Sequence, residues 1–195
     1  MRTSASQLLP IFRSEGQGRL LARVYLQPDR IATIAEIARE LQLDDGGLTR
    51  EADRLERAGL IRSERVGRSR TLRPNEDSPY YRDLYGLLMK AFGPAAVVGP
   101  ALASISGIES AYLFGSWAAR YTGEQGAAPD DVDVLIVGTP DRGEVYRTAG
   151  ALSDVLHREV NPTIVSPERW DAAEEGFIRD VRSSPLVALD LGADA

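Results

Sequence analysis

Asp131 and Asp133 flank Val132 at the head of a run, ending at Val137, that is otherwise apolar and β-branched. Such a run reads as a central strand, and residues i and i+2 of a strand share a face. The two carboxylates therefore project together, with Cα atoms about 7 Å apart from a rise of ~3.3 Å per residue. Like charges so placed repel unless a cation or protons intervene. Hard oxygen ligands at this spacing suit Mg²⁺ held together with a nucleoside triphosphate. Upstream, Gly115-Ser116 follows a buried-strand pattern, Ile108 to Phe114, and opens a helix. It offers backbone N–H groups and a hydroxyl to phosphate oxygens. A phosphate cradle beside a carboxylate pair is the arrangement that metal-assisted nucleotidyl transfer needs.

The wording Leu113-Phe-Gly-Ser116, then Asp131-Val-Asp133, resembles the nucleotidyltransferase superfamily with the Gly-Ser…Asp-x-Asp signature, above all its minimal members, over roughly residues 95–190. The resemblance implies that Asp131 and Asp133 are catalytic metal ligands and that Gly115 and Ser116 bind the nucleotide. It implies Mg²⁺ and a nucleoside triphosphate as cofactors. It also implies a third carboxylate on the next strand, acting with Asp131 on a second metal and the attacking hydroxyl. On that strand, Arg158 to Val165, the matching position is Asn161. An amide can coordinate through its carbonyl but carries no charge and cannot act as a base at neutral pH. Glu159, two residues earlier on the same face, is the alternative donor. The intervening loop, Tyr121 to Pro129, is longer than the family's usual short link.

An arginine-studded segment carries the other candidate chemistry. Between residues 62 and 73 there are five arginines and one acid. The segment reads as a β-hairpin turning near Gly67, with Val66 and Leu72 as its apolar contacts. Three helices are expected before it. Leu20, Leu21, Val24 and Tyr25 mark the first, over roughly 17–27 and ending before Pro28. Thr33-Ile-Ala-Glu36 is a capping box opening the second, with Ile34, Ile37, Ala38 and Leu41 inward. Asp45 is the expected cap of the third, where Leu48, Ala52 and Leu55 point inward and Gly59 supplies the stop.

Three helices and such a hairpin resemble the winged helix-turn-helix of bacterial transcriptional regulators. The phrases Ile34-Ala-Glu-Ile-Ala-Arg-Glu-Leu41 and Leu48-Thr-Arg-Glu-Ala-Asp-Arg-Leu-Glu-Arg-Ala-Gly-Leu-Ile61 are similar to that family's helix 2, recognition helix and strand start. The resemblance implies a third helix in the major groove of double-stranded DNA and a wing along its backbone. Thr49 and Arg50 are then the candidates for base edges, Arg54 for a phosphate, and Arg65, Arg68 and Arg70 for the backbone or minor groove. Asp44, Asp45, Gly46 and Gly47 depart from the usual start of such a helix, since acids near DNA are repelled unless they cap it.

Charge divides accordingly. Residues 1–75 hold 14 basic against 10 acidic side chains, and residues 76–195 hold 9 against 19. The first part suits a polyanion. With no cysteine and one histidine, His157, disulfides and His- or thiolate-rich metal sites are excluded. Residues 1–10 lack an apolar h-region, and Ala95 to Gly107, interrupted by Pro100, falls short of the ~20 apolar residues of a membrane span, so a soluble cytoplasmic protein is expected.

The fold class expected is α+β: a winged helix-turn-helix over 1–75, a turn-rich linker and connecting helix over 76–93, and a nucleotidyltransferase-like mixed sheet with flanking helices over 94–195. Its elements include a helix around 143–157, one capped helix from Ser166 to Arg182 and a last strand from Pro185 to Leu191. Trp117 and Trp170 read as packing residues, and His157 as a helix-end residue. A homodimer is the family-level expectation. The function read here is a DNA-binding transcriptional regulator whose second domain binds a nucleotide or mediates assembly, with impaired catalysis. The alternative is a working Mg²⁺-dependent nucleotidyltransferase of the antitoxin type that adenylylates a partner protein encoded nearby. A scaffold of two interaction modules is the third class.

Overall fold

The structure, a computed structural model, describes residues 11–67, 69–124 and 126–192. Arg68, a predicted wing contact, and residues 1–10 lie outside the described residues. The chain forms two compact units, Met1–Gly93 and Pro94–Ala195.

In the first unit α1, Glu15–Leu26, starts at Ser14, whose hydroxyl accepts from the Gln17 amide at 3.1 Å. Leu20, Leu21, Val24 and Tyr25 are all buried, as their spacing requires. Fully burying an aliphatic side chain of this size contributes about 1.5–3 kcal/mol. A two-residue strand, β1 (Ala32–Thr33), leads into α2, Ile34–Leu41. Thr33 caps α2 and the Glu36 carboxylate returns to the Thr33 amide at 2.7 Å, completing the capping box. The recognition-type helix α3, Asp45–Arg57, buries Leu48, Ala52 and Leu55. Its cap is Asp44 rather than Asp45, accepting from the Gly47 amide at 2.6 Å. Asp44 has the extended backbone a cap needs, whereas Asp45 is already the first helical residue.

The hairpin comprises β2, Ile61–Val66, and β3, Ser69–Pro74, paired from Ile61↔Pro74 to Val66↔Ser69, with β1 on the other edge of β3. Gly67 occupies the turn with φ +64°. Leu72 is buried as expected, but Val66 is 65% exposed because it sits at the hairpin tip, beyond the helical core.

Helix α4, Tyr81–Phe92, packs on α1. Tyr81 stacks on Tyr25 at 5.5 Å and Phe92 meets Phe12 at 5.8 Å. A Cβ on Gly18 would come within 2.7 Å of the Phe92 ring, so α1 carries a glycine where α4 approaches. The Tyr25 hydroxyl donates to the Leu60 carbonyl at 2.5 Å, and burial pushes its phenol up to about 12.

In the second unit α5, Pro94–Leu102, carries Pro100 in its last turn. Strand β4, Ile108–Leu113, leads through Phe114 into α6, Gly115–Tyr121. After the 122–130 loop come β5, Asp131–Gly138, α7, Arg142–Leu156, and β6, Glu159–Val165. Two short helices, α8 (Pro167–Ala172) and α9 (Gly176–Ser183), replace the single helix expected. Ala173 turns left-handed at φ 49° between them. The last strand, β7, is only Val187–Ala188, not Pro185 to Leu191, since hydrogen bonding to β4 stops there apart from the Leu189 amide.

The sheet order is β6-β5-β4-β7, with β4 antiparallel to β5 and β5 parallel to β6. Leu135 and Val137 pack with Val165 and with Ile178 and Val181 of α9. Val132, Val134 and Ile136, also buried, point to the opposite face. Asp131 and Asp133 thus share the face of Leu135 and lie beyond the end of its core.

By length and composition alone, one helical stretch among the described residues, Tyr81–Leu102, is apolar enough to suit a membrane span. Gly93, with extended backbone, divides it into α4 and α5.

Candidate functional site

On α3, Thr49, Arg50 and Arg54 are exposed, consistent with a face free to meet a ligand. The Thr49 hydroxyl returns to the Asp45 carbonyl at 2.8 Å. Arg50 has no ion-pair partner among the described residues. Arg54 is held by Glu51 at 3.0 Å, and Glu51 also accepts from the Gln17 side chain at 2.7 Å. Spending Asp44 on the helix cap commits one of the two acids that would otherwise oppose a polyanion.

The hairpin arginines do not behave alike. Arg65 is exposed and, among the described residues, without an ion-pair partner, whereas Arg62 pairs with Asp77 and Arg73 with Glu64. Arg70 is turned inward, its side chain 21% exposed. It donates to Asp53 at 2.5 Å and to Glu56 at 2.7 Å, both on α3. Burial opposes its charge, but hydrogen bonds and proximity to the two carboxylates outweigh that and raise its pKa. The Ser63 hydroxyl donates to Glu56 at 2.6 Å, and this bond leads the interactions that hold the Glu56 carboxyl below its usual range. Sequence reasoning grouped Arg70 with Arg65. The cross-strand register Arg65↔Arg70 puts both on one face of the hairpin, yet Arg70 is the one held by the α3 carboxylates.

In the second unit Asp131, Asp133, Asn161 and Gly115 lie together, while Ser116 is exposed at the start of α6. Asp131 and Asp133 are half-buried and lie in register with Glu159 and Asn161 of β6. The Asn161 amide nitrogen donates to the Asp131 carboxylate at 3.2 Å. Burial first, and the neighbouring Asp131 charge second, push the Asp133 carboxyl above its ordinary value. Glu159 is exposed, and among the described residues no third carboxylate joins the couple in a metal-binding group.

Gly115, at φ +65°, brings the backbone against this couple: a Cβ there would lie 2.7 Å from the Asp133 Oδ2 atom. Only glycine combines that dihedral with that approach. Two carboxylates beside a neutral amide offer the oxygen donors that suit a hard cation. A cavity of ≈ 520 Å³ opens elsewhere, along β4 and β7 between Leu102 and Leu189, and includes none of these residues.

Arg158, Phe114 and Phe177 had no functional signal of their own in the sequence. Arg158 lies over the Trp117 ring at 5.9 Å and donates to the Pro129 carbonyl, tying the end of the 122–130 loop to the start of β6. Trp117 is buried as expected, whereas Trp170 stacks on Tyr112 at 5.7 Å. Phe114, beside Gly115, meets Phe177 of α9 edge-on at 5.9 Å. His157 ends α7 in left-handed conformation, φ 52°.

Residues 13–70 match the model of the MarR family. No curated protein matches the chain. Among solved structures it is similar to reduced HlyU from Vibrio cholerae N16961, at 19% identity over 44% of this chain and 84% of that one, with a TM-score of 0.36. A mutant of ZitR from Lactococcus lactis gives 18% identity, 42% and 53% coverage and a TM-score of 0.34. The transcriptional regulator BldR from Sulfolobus solfataricus gives 17%, 53% and 71%, and 0.38. The family match, made on the segment that forms the three helices and hairpin, carries the assignment: residues 13–70 are a winged-helix DNA-binding domain of the MarR family.

Proposed function

We propose that this DNA-binding regulator of the MarR type carries a C-terminal, nucleotidyltransferase-like unit that binds a Mg²⁺–nucleoside triphosphate without transferring from it. The observation that carries the second half is the amide of Asn161 donating to Asp131. Transfer needs a base for the attacking hydroxyl, and an amide nitrogen already committed as a donor cannot take that proton. The order β4, Gly115-Ser116, β5 with Asp131 and Asp133, and parallel β6 supports the nucleotidyltransferase-like reading. Asp131 and Asp133 would hold the cation, and Gly115 and Ser116 would lie against the phosphates. The bound cation would supply charge neutralisation; the chain's own residues orient it.

DNA contact is assigned to Thr49 and Arg50 at base edges and to Arg54 and Arg65 at phosphates. Arg68 stands as a sequence-based wing contact. Arg70 acts instead by fixing the wing to α3. A homodimer reading two half-sites about one helical turn apart follows from the family.

The second reading, a working transferase acting on a partner protein, is favoured by the close approach of Gly115 to Asp133. ATP labelled on its α-phosphate, incubated with Mg²⁺ and the full chain alone or with proteins encoded nearby, separates the two. Label retained on a filter but absent from denatured protein is the expected result. Covalent label made by the wild type and lost in Asp133→Ala would replace this reading with the second.

A further inference from the structure

The carboxylate couple lies next to an aromatic pair, Phe114 and Phe177, of which Phe177 stays largely exposed. Phe114 packs against the cluster that holds Leu135 and Val137, so it shares the sheet face that carries Asp133 on β5. The Phe114 amide donates to the Asp133 carbonyl at 3.2 Å, which makes the two residues cross-strand neighbours. Such neighbours have Cβ atoms about 4.5–5.5 Å apart. Phe177 meets the Phe114 ring at 81° and 5.9 Å, yet is itself 45% exposed. Its position is fixed, because the next residue, Ile178, and Val181 are buried in the core beneath.

A single exposed apolar side chain needs no explanation. An exposed ring held edge-on by a second ring, on the sheet face of a half-buried carboxylate pair, presents an apolar plane beside a cation-binding group. The ligand chemistry that combines an aromatic plane with a polyanion and its cation is a nucleotide. Stacking on such a ring is tolerant of base identity, because every base has a π-face.

We propose that Phe177, braced by Phe114, is the surface on which the base of that nucleotide stacks while its phosphates and cation engage Asp131 and Asp133. The assignment rests on the nucleotide-binding reading above and adds the base to it. The site would accept adenine and guanine nucleotides with similar affinity, since nothing in a phenyl ring reads a base edge.

Calorimetric titration of the full chain with Mg²⁺–ATP and, separately, with Mg²⁺–tripolyphosphate tests this, using wild type, Phe177→Ala, Phe177→Trp and Asp133→Asn. Phe177→Ala is expected to weaken ATP about 10-fold, in line with the loss of one base-stacking contact, and to leave tripolyphosphate unchanged. Phe177→Trp is expected to keep ATP binding, with quenching of fluorescence on addition of nucleotide. Equal weakening of both ligands by Phe177→Ala would assign the residue a structural role and overturn the proposal. Unchanged ATP affinity in Phe177→Ala would overturn it too, while leaving the cation-site reading intact provided Asp133→Asn weakens both ligands. Wild type that binds neither ligand would remove both readings together.

Discussion

Replacing Arg70 and Arg65 in turn by methionine separates two roles that sequence alone assigns jointly. Methionine keeps the length of the side chain and removes the charge. Arg70 is 21% exposed and engages Asp53 and Glu56, which are 48% and 39% exposed. Pairs with partners this open are screened, and each is worth about 0.2–1 kcal/mol. Their loss should cost about 1 kcal/mol, the Glu56 carboxylate keeping its bonds to Ser63. In a domain of this size about 1 kcal/mol corresponds to a fall of roughly 4–8 °C in melting temperature. A wing loosened by that amount should weaken DNA by up to about 5-fold, at RT ≈ 0.59 kcal/mol.

Salt distinguishes this from loss of a phosphate contact. Each phosphate neutralised contributes about −0.9 to the slope of log K against log salt. Raising salt fourfold, from about 50 to 200 mM, then weakens binding about 3.5-fold for each contact. The ratio of wild-type to Arg65→Met affinity should therefore shrink about 3.5-fold across that interval. The ratio for Arg70→Met should stay constant. Fluorescence anisotropy with one labelled duplex at four salt concentrations measures both. A slope that falls by about one in Arg70→Met, with an unchanged melting temperature, would refute the tethering argument and make Arg70 a DNA contact.

Asp44→Ala should destabilise the first unit by about 1 kcal/mol, the usual value for a lost cap, while Asp45→Ala should be near neutral; chemical denaturation of the two variants decides it, and the reverse order would restore Asp45 as the cap. Gly115→Ala should abolish Mg²⁺–ATP binding in calorimetry, because its Cβ would sit 2.7 Å from Asp133 Oδ2 at a φ of +65°; wild-type affinity would show that the close approach is dispensable. Glu56 has a lowered pKa in the folded state, so its contribution is present above its unfolded value and is lost as pH falls through the folded one. Melting temperature should therefore drop less on acidification in Glu56→Gln than in wild type below about pH 4.5; parallel curves would remove Glu56 from the acid response.

Local signals survived wherever the chain's own chemistry determined the outcome. Thr33 and Glu36 fix the start of α2 whatever packs around it, and Leu20 through Tyr25 set the buried face of α1 by spacing alone. The family resemblance set Asn161 at the position of the third acid, and the register pairs it with Asp133. What the sequence concealed depends on distance in space. Arg70 is like its neighbours until Asp53 and Glu56, 17 and 14 positions away, capture it. Whether Asp44 or Asp45 caps α3 rests on a single backbone dihedral. The break at Ala173 carries no glycine or proline at the turning residue itself. Phe177 was illegible because an aromatic on a helix of mixed polarity reads as core, and only the fold leaves it open beside Phe114.

Selection of full-length protein against a pool of randomised duplexes, at a salt concentration near the physiological value, tests most directly whether this molecule is a site-specific regulator. An enriched inverted repeat is expected, with half-sites centred about one helical turn apart and enrichment lost in Arg50→Ala. A pool that emerges as random as it entered, at any salt concentration that permits binding, would contradict the account.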